Sequence, residues 1–232
     1  MNFFNNINKS VNRLVDLVYP RLCFYCSEYL TETEDVLCVY CKSSLPVLDF
    51  SRNYGVISSK FVDVNPKNVI CFLTYKKGNI TQSLLCDFKY NGDKQIGSQL
   101  GTWFGNFIQD NLHISNIDLI VPVPLHKSKE RKRGFNQSEI VAKAISEVLS
   151  VPCLNALERR KESKTQTRKS RTDRMFNVKD LFSVLDPDLV KGKHILLIDD
   201  VITTGSTLAA CSMELIKHDV GAISIATLAL AK

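Results

Sequence analysis

The run His194-Ile-Leu-Leu-Ile-Asp-Asp-Val-Ile-Thr-Thr-Gly-Ser-Thr-Leu208 constrains the fold of this 232-residue chain more than any other segment. Ile195 to Ile198 is a continuous apolar run, as expected of a strand buried on both faces of a parallel sheet. Two carboxylates, Asp199 and Asp200, follow it directly. Thr203-Thr-Gly-Ser-Thr207 then leads into a helix expected over 207–218. Ligands of open α/β sheets bind at that carboxyl edge of the strands. A helix N-terminus there offers N–H groups and partial positive charge to a phosphate. Gly205 lets the backbone approach closely, and the hydroxyls of Thr203, Thr204, Ser206 and Thr207 add donors. Asp199 and Asp200 are suited to accept hydrogen bonds from a diol. A diol beside a phosphate describes ribose 5-phosphate. A plain N-cap rich in Ser and Thr would explain one hydroxyl residue and the glycine. It would not explain two carboxylates directly after a buried strand. The string TTGST matches neither the P-loop nor the dinucleotide pattern.

The hydrophobic pattern around this run alternates strands with helices. Residues 6–18 carry Ile7, Val11, Leu14, Leu17 and Val18 on one helical face, stopped by Pro20. Residues 42–68 read as a connector of irregular structure. A strand is expected from Val69, ending in a turn at Gly78. Ile80, Leu84, Leu85 and Phe88 predict a helix that Asn91-Gly-Asp93 ends. Ile96, Leu100, Trp103, Phe104, Phe107 and Ile108 predict another. Gly97, Gly101 and Gly105 recur along that second helix, and a stripe of small residues suits close packing against a neighbouring backbone. A short strand over 117–124, a helix over 137–149, a strand over 193–199 and a final strand over 222–231 complete the pattern. Residues 158–180 are basic and poor in apolar side chains, so an exposed loop or hairpin is expected. Such alternation argues for an α/β fold with a parallel sheet flanked by helices. The expected organisation is an N-terminal helix and cysteine module over 1–50, a connector over 51–68 and the α/β domain over 69–232.

The formal charge is +6, and its distribution says more than its size. Residues 126–174 hold 14 Lys or Arg against 6 Asp or Glu, so this one segment carries the whole basic excess. It would attract phosphates, pyrophosphate or nucleic acid, unless it is simply a solvated surface. No run of about eighteen apolar residues is present, which argues against a membrane span. The N-terminus lacks the continuous apolar core of a signal peptide, so a cytoplasmic location is expected.

Eight cysteines are present, and four of them are patterned. Cys23, Cys26, Cys38 and Cys41 form C-x2-C-x11-C-x2-C, two close pairs able to clamp a tetrahedral ion. Thiolates suit Zn2+, and four protein ligands leave no open position, so one structural zinc is expected. Iron in the same sulfurs, two disulfides, or four buried thiols are the other readings. Phe24, Tyr25 and Tyr40 beside the cysteines suit either stacking on bases or covering the metal knuckles. Cys71, Cys86, Cys153 and Cys211 are scattered and read as ordinary buried thiols.

The run from the buried strand through Asp-Asp to Thr-Thr-Gly-Ser-Thr resembles the signature of type I phosphoribosyltransferases. CFYC at 23–26, CVYC at 38–41, FKYNGD at 88–93, DLIVPVPLH at 118–126, RKRGFNQSE at 131–139 and QTRKSRTDRMFNV at 166–178 extend the likeness. Together they resemble the ComF family over about residues 20–232. That family joins an N-terminal zinc finger to a phosphoribosyltransferase-like domain and is linked to uptake of transforming DNA. The resemblance implies that Asp199 and Asp200 hold the ribose hydroxyls and stabilise positive charge in the transition state. It implies that Thr203, Thr204, Gly205, Ser206 and Thr207 hold the 5′-phosphate of phosphoribosyl pyrophosphate. Val123, Pro124 and Leu125, with His126, would stand where pyrophosphate binds. Residues 158–178 would form a closing loop whose Arg168, Arg171 and Arg174 meet pyrophosphate. Mg2+ would arrive with the substrate. Three functions stay open at this point. They are a phosphoribosyltransferase or hydrolase of unknown acceptor, an accessory that handles single-stranded DNA, and an adaptor that docks DNA-processing proteins.

Overall fold

The computed structural model of the chain describes residues 20–49, 55–111, 116–160 and 181–231. The helix expected over 6–18 lies outside these residues, as does most of the segment 158–180. The chain divides into two compact units between Leu45 and Pro46. In the first unit, a short helix α1 (Val39–Ser43) begins directly after Cys38.

The second unit is built on a parallel sheet. Its strands are β1 (Asn68–Tyr75), β2 (Leu119–Pro122), β5 (His194–Ile202) and β6 (Ala222–Ala231), in the order β1-β6-β5-β2. The helices are α2 (Ile80–Tyr90), α3 (Lys94–Asn111), α4 (Lys127–Arg133), α5 (Gln137–Leu149) and α6 (Ser206–Ile216). A short antiparallel pair, β3 (Leu157–Arg159) with β4 (Phe182–Val184), flanks the undescribed stretch. The expected α/β class with a parallel, helix-flanked sheet is therefore the fold observed. β5 is central, and Ile195 to Ile198 are fully buried, which is why that stretch reads as an unbroken apolar run.

Two local rules position the helices. Asn79 and Asn136 cap α2 and α5, each accepting a backbone N–H with its side chain. Glycines set the spacing of α3. A Cβ on Gly101 would lie 2.7 Å from Ala144 Cβ and 2.9 Å from the Val141 carbonyl oxygen, both on α5. The stripe of small residues is thus a close helix–helix contact, as its spacing suggests. On its other side α3 meets β1, where the Phe104 ring stacks on Phe72 at 5.3 Å between centroids.

Two stretches differ from expectation. The division at Leu45 falls ahead of residue 50, because Pro46 to Leu48 run along β1: Thr74 N–H donates to the Pro46 carbonyl and Leu48 N–H to Phe72. The supposed irregular connector is helical over 55–61, and its Ile57 and Phe61 belong to the core around β5. α4 was also unexpected. It buries no residue, so it has no apolar periodicity to reveal it.

Candidate ribose-phosphate site and cysteine cluster

β5 delivers Asp199 and Asp200 to the carboxyl edge of the sheet, and α6 begins four residues after Ile202. The turn between them closes through Gly205 at φ 80°, the left-handed region that favours glycine. Gly205 stands at the N-cap of α6, where no side chain caps the helix. Thr204 Oγ1 lies 3.0 Å from Ser206 Oγ, which draws the two hydroxyls together over the helix start. Asp199 and residues 201–208 line one small, open pocket. Asp199 and the Thr203–Thr207 donors therefore meet in a single pocket, with Asp200 adjoining in sequence. Asp200 does not itself line that pocket.

The loop rests on the helical turn over 55–61. Lys60 Nζ donates to the Thr203 carbonyl at 2.8 Å, and the Phe61 ring lies under Gly205. The i, i+4 spacing of Ile57 and Phe61 was the available signal for this turn.

The two carboxylates have different surroundings. Asp199 Oδ1 accepts from Ser138 Oγ at 2.9 Å and from Asp200 N–H at 2.9 Å. Burial, reinforced by the charge of Asp200, pushes the Asp199 carboxyl up to about 7, against the opposing effect of those hydrogen bonds and of Lys89. Asp200 Oδ2 meets Lys89 Nζ at 2.8 Å, with side-chain exposures of 16% and 20%. Neither Ser138 nor Lys89 was expected at the site from sequence. Lys89 lies in the FKYNGD segment, but no spacing rule ties the end of α2 to the end of β5.

Val123, Pro124 and Leu125 leave β2 beside the acidic pair. β2 and β5 pair in register at Pro122 and Ile198, and Val123 N–H donates to the Ile198 carbonyl at 2.8 Å. Asn136 Nδ2 donates to the Val123 carbonyl at 3.0 Å, tying this loop to the start of α5. His126 caps α4: its Nδ1 accepts Ser128 N–H at 3.2 Å. α4 then presents Lys127, Lys129, Arg131 and Lys132 to solvent. Arg133 is turned inward, where Nη1 donates to Gln137 Oε1 and the guanidinium lies over the Tyr90 ring at 5.8 Å. Arg168, Arg171 and Arg174 lie outside the described residues. His194 is structural: Nδ1 pairs with the Asn116 carbonyl and Nε2 with Ser224 Oγ, at the opposite end of β5.

In the first unit the Sγ atoms of Cys23, Cys26, Cys38 and Cys41 all lie within 4.8 Å of one another. Cys26 and Cys38 are 3.7 Å apart, and no disulfide joins any of the four. Four thiolates 2.3 Å from one tetrahedral ion would be about 3.8 Å apart. The cluster thus fits a structural metal ion. Burial alone would raise the Cys23 thiol, but backbone N–H groups of Cys26, Cys38 and Tyr25 outweigh it and bring it down to about 6. Glu34 supports the second knuckle by accepting the N–H groups of Thr31 and Val39. Tyr25 and Tyr40 are 48% and 80% exposed, so these two rings do not fill the small core. Cys71 and Cys211 are fully buried, whereas Cys86 and Cys153 are only partly so. Among the described residues, no helix is long and apolar enough to cross a membrane.

Residues 136–232 match the phosphoribosyl transferase domain family. The match covers α5, β5, α6 and β6, and with them the whole Asp199–Thr207 site. The chain is 38% identical over 116 residues to competence protein F of Haemophilus influenzae, covering 49% of this chain and 51% of that one. It is 24% identical over 200 residues to competence protein ComFC of Bacillus subtilis, covering 84% of this chain and 78% of that one. It is 35% identical over 109 residues to the DNA utilization protein YhgH of Escherichia coli K12, covering 47% of each. The matches to the first and third span about half of those relatives' length.

Proposed function

Since the chain belongs to the ComF family and carries a phosphoribosyltransferase-type domain, we propose that it binds phosphoribosyl pyrophosphate and transfers its phosphoribosyl group. One observation carries this reading. The carboxylates of Asp199 and Asp200 adjoin, at the end of one buried strand, a hydroxyl-rich loop that starts a helix at a left-handed glycine. Thr203 to Thr207 hold the 5′-phosphate, and Asp199 and Asp200 take the ribose hydroxyls. Val123, Pro124 and Leu125 present backbone to the pyrophosphate, and Arg168 and Arg171 supply bidentate donors from the segment over 158–178. Mg2+ bound through the substrate's own oxygens would supply charge neutralisation of the pyrophosphate leaving group. As a nucleophilic acceptor bonds to the anomeric carbon and pyrophosphate leaves with the electron pair of the broken C–O bond, positive charge grows on the sugar, and the nearby carboxylates stabilise it. In the first unit Zn2+ is the structural ion. A cytoplasmic location goes with this reading.

Binding is tested by thermal unfolding with phosphoribosyl pyrophosphate and Mg2+. At about 100 times Kd the ligand adds roughly 2.7 kcal/mol to stability. An unchanged transition at millimolar ligand rules the reading out.

A second reading rests on α4, which exposes a row of cations immediately after the loop at Val123–Leu125. The domain would act as an accessory in DNA uptake or recombination, tracking a single strand along α4, with the pocket sensing a metabolite or holding a strand end. Replacing Lys129, Arg131 and Lys132 with Glu should then weaken single-stranded DNA binding and flatten its salt dependence. Unchanged curves would leave α4 a solvated surface.

A further inference from the structure

Each carboxylate of the acidic pair has one oxygen engaged and one open. Asp199 Oδ1 is held by Ser138 Oγ and the Asp200 N–H, and Asp200 Oδ2 by Lys89. Among the described residues no donor meets Asp199 Oδ2 or Asp200 Oδ1. The two anchoring side chains come from helices, not loops. Ser138 lies in the first turn of α5, which Asn136 caps and ties to the loop after β2. Lys89 lies in the last turn of α2, next to the fully buried Phe88, whose ring stacks on Phe135 at 5.6 Å. A Cβ on Gly97 would lie 2.2 Å from the Phe88 ring, so α2 and α3 meet without slack at that point.

A mostly buried Lys–Asp pair is rarely the most stable filling for its space, because both charges lose water. What it provides is orientation, and here it also offsets the repulsion between adjacent carboxylates.

Resting on the ribose-phosphate reading, we propose that Lys89 and Ser138 are positioning residues for sugar recognition: each holds one oxygen of its carboxylate and so orients the other oxygen to accept from a sugar hydroxyl. The ligands selected are ribose phosphates, and 2-deoxyribose phosphates are rejected. A 2-deoxy sugar leaves one of the two partly buried acceptors unpaired, which is where such discrimination arises.

The test is calorimetric titration at pH 8, where Asp199 is ionised, with ribose 5-phosphate and with 2-deoxyribose 5-phosphate. The wild type should favour the ribose form at least tenfold. Lys89→Met should bring the ratio within about threefold while changing affinity for the deoxy sugar by less than threefold. Lys89→Arg should restore most of the ratio. Ser138→Ala, a milder change on a separate helix, should lower the ratio independently, and it decides the matter should Lys89→Met fail to fold. Equal weakening toward both sugars, with the ratio kept, would mean a merely structural role and overturns the proposal. So does a wild type that binds both sugars equally, although the ribose-phosphate reading then stands. A wild type that binds neither sugar overturns that reading and the proposal with it.

Discussion

Gly205→Ala is the most informative single substitution in the Thr203–Thr207 loop. Gly205 sits at φ 80°, where an L side chain costs roughly 1–2 kcal/mol. The added Cβ would also lie 3.1 and 3.2 Å from two atoms of the Phe61 ring and 3.3 Å from Lys60 Cβ. Phe61 is 1% exposed and cannot swing into solvent, so the ring or the loop must shift by a few tenths of an ångström. Crowding on that scale adds about 1 kcal/mol, the low end for overpacked cores. The total is about 2–3 kcal/mol, which lowers Tm by roughly 4–12 °C for a unit of this size. Thermal unfolding and ribose 5-phosphate titration should be run on the same samples. If the loop yields instead of the core, stability is partly recovered but the Thr203–Thr207 donors move and affinity falls at least tenfold. Asn at the same position tolerates the left-handed region better and should recover part of the backbone cost. A Gly205→Ala protein within about 0.5 kcal/mol of wild type and with unchanged affinity would refute the reasoning.

Three further outcomes follow from the packing and the charges. Because Asp199 is raised to about 7, the folded chain holds a proton that the unfolded chain has lost between about pH 4 and pH 7. That contribution is complete below about pH 4 and disappears as pH rises through about 7; Asp199→Asn should lack this slope in denaturant unfolding, and parallel curves would contradict the assignment. Gly101→Ala drives a Cβ against Ala144 and the Val141 carbonyl and should cost about 1–3 kcal/mol in urea unfolding, whereas a neutral result would mean that α3 and α5 are not in close contact. One metal ion per chain is expected by elemental analysis, dropping below half in Cys38→Ser, and a chelator should expose the first unit to proteolysis; full metal content in the variant would remove Cys38 from the ligand set.

The legible parts of the fold were those whose signal is local. Ile195 to Ile198 announced a doubly buried strand, and the apolar pattern from Ile80 to Phe88 and over 137–149 announced α2 and α5. Gly101 announced a close helix contact because nothing else justifies a glycine within a helix. α4 escaped because a helix that buries nothing has no apolar period. The turn at Ile57 and Phe61 escaped because two apolar residues in a polar stretch look like a loop. The acidic pair and the Thr203–Thr207 loop were visible as one continuous string. Lys89 and Ser138 were not, because each reaches the pair from an element that only tertiary packing brings near β5. Their roles depend on geometry that no spacing in the chain encodes.

The most direct measurement is calorimetric titration of the whole chain with phosphoribosyl pyrophosphate and Mg2+, beside the same titration of a variant carrying Asp199→Ala and Asp200→Ala. Saturable binding at one site per chain, lost in the double variant while its fold is retained, is the predicted result. No heat from the wild type at millimolar ligand, or equal binding by the double variant, would contradict the assignment of this strand end as a ribose-phosphate site.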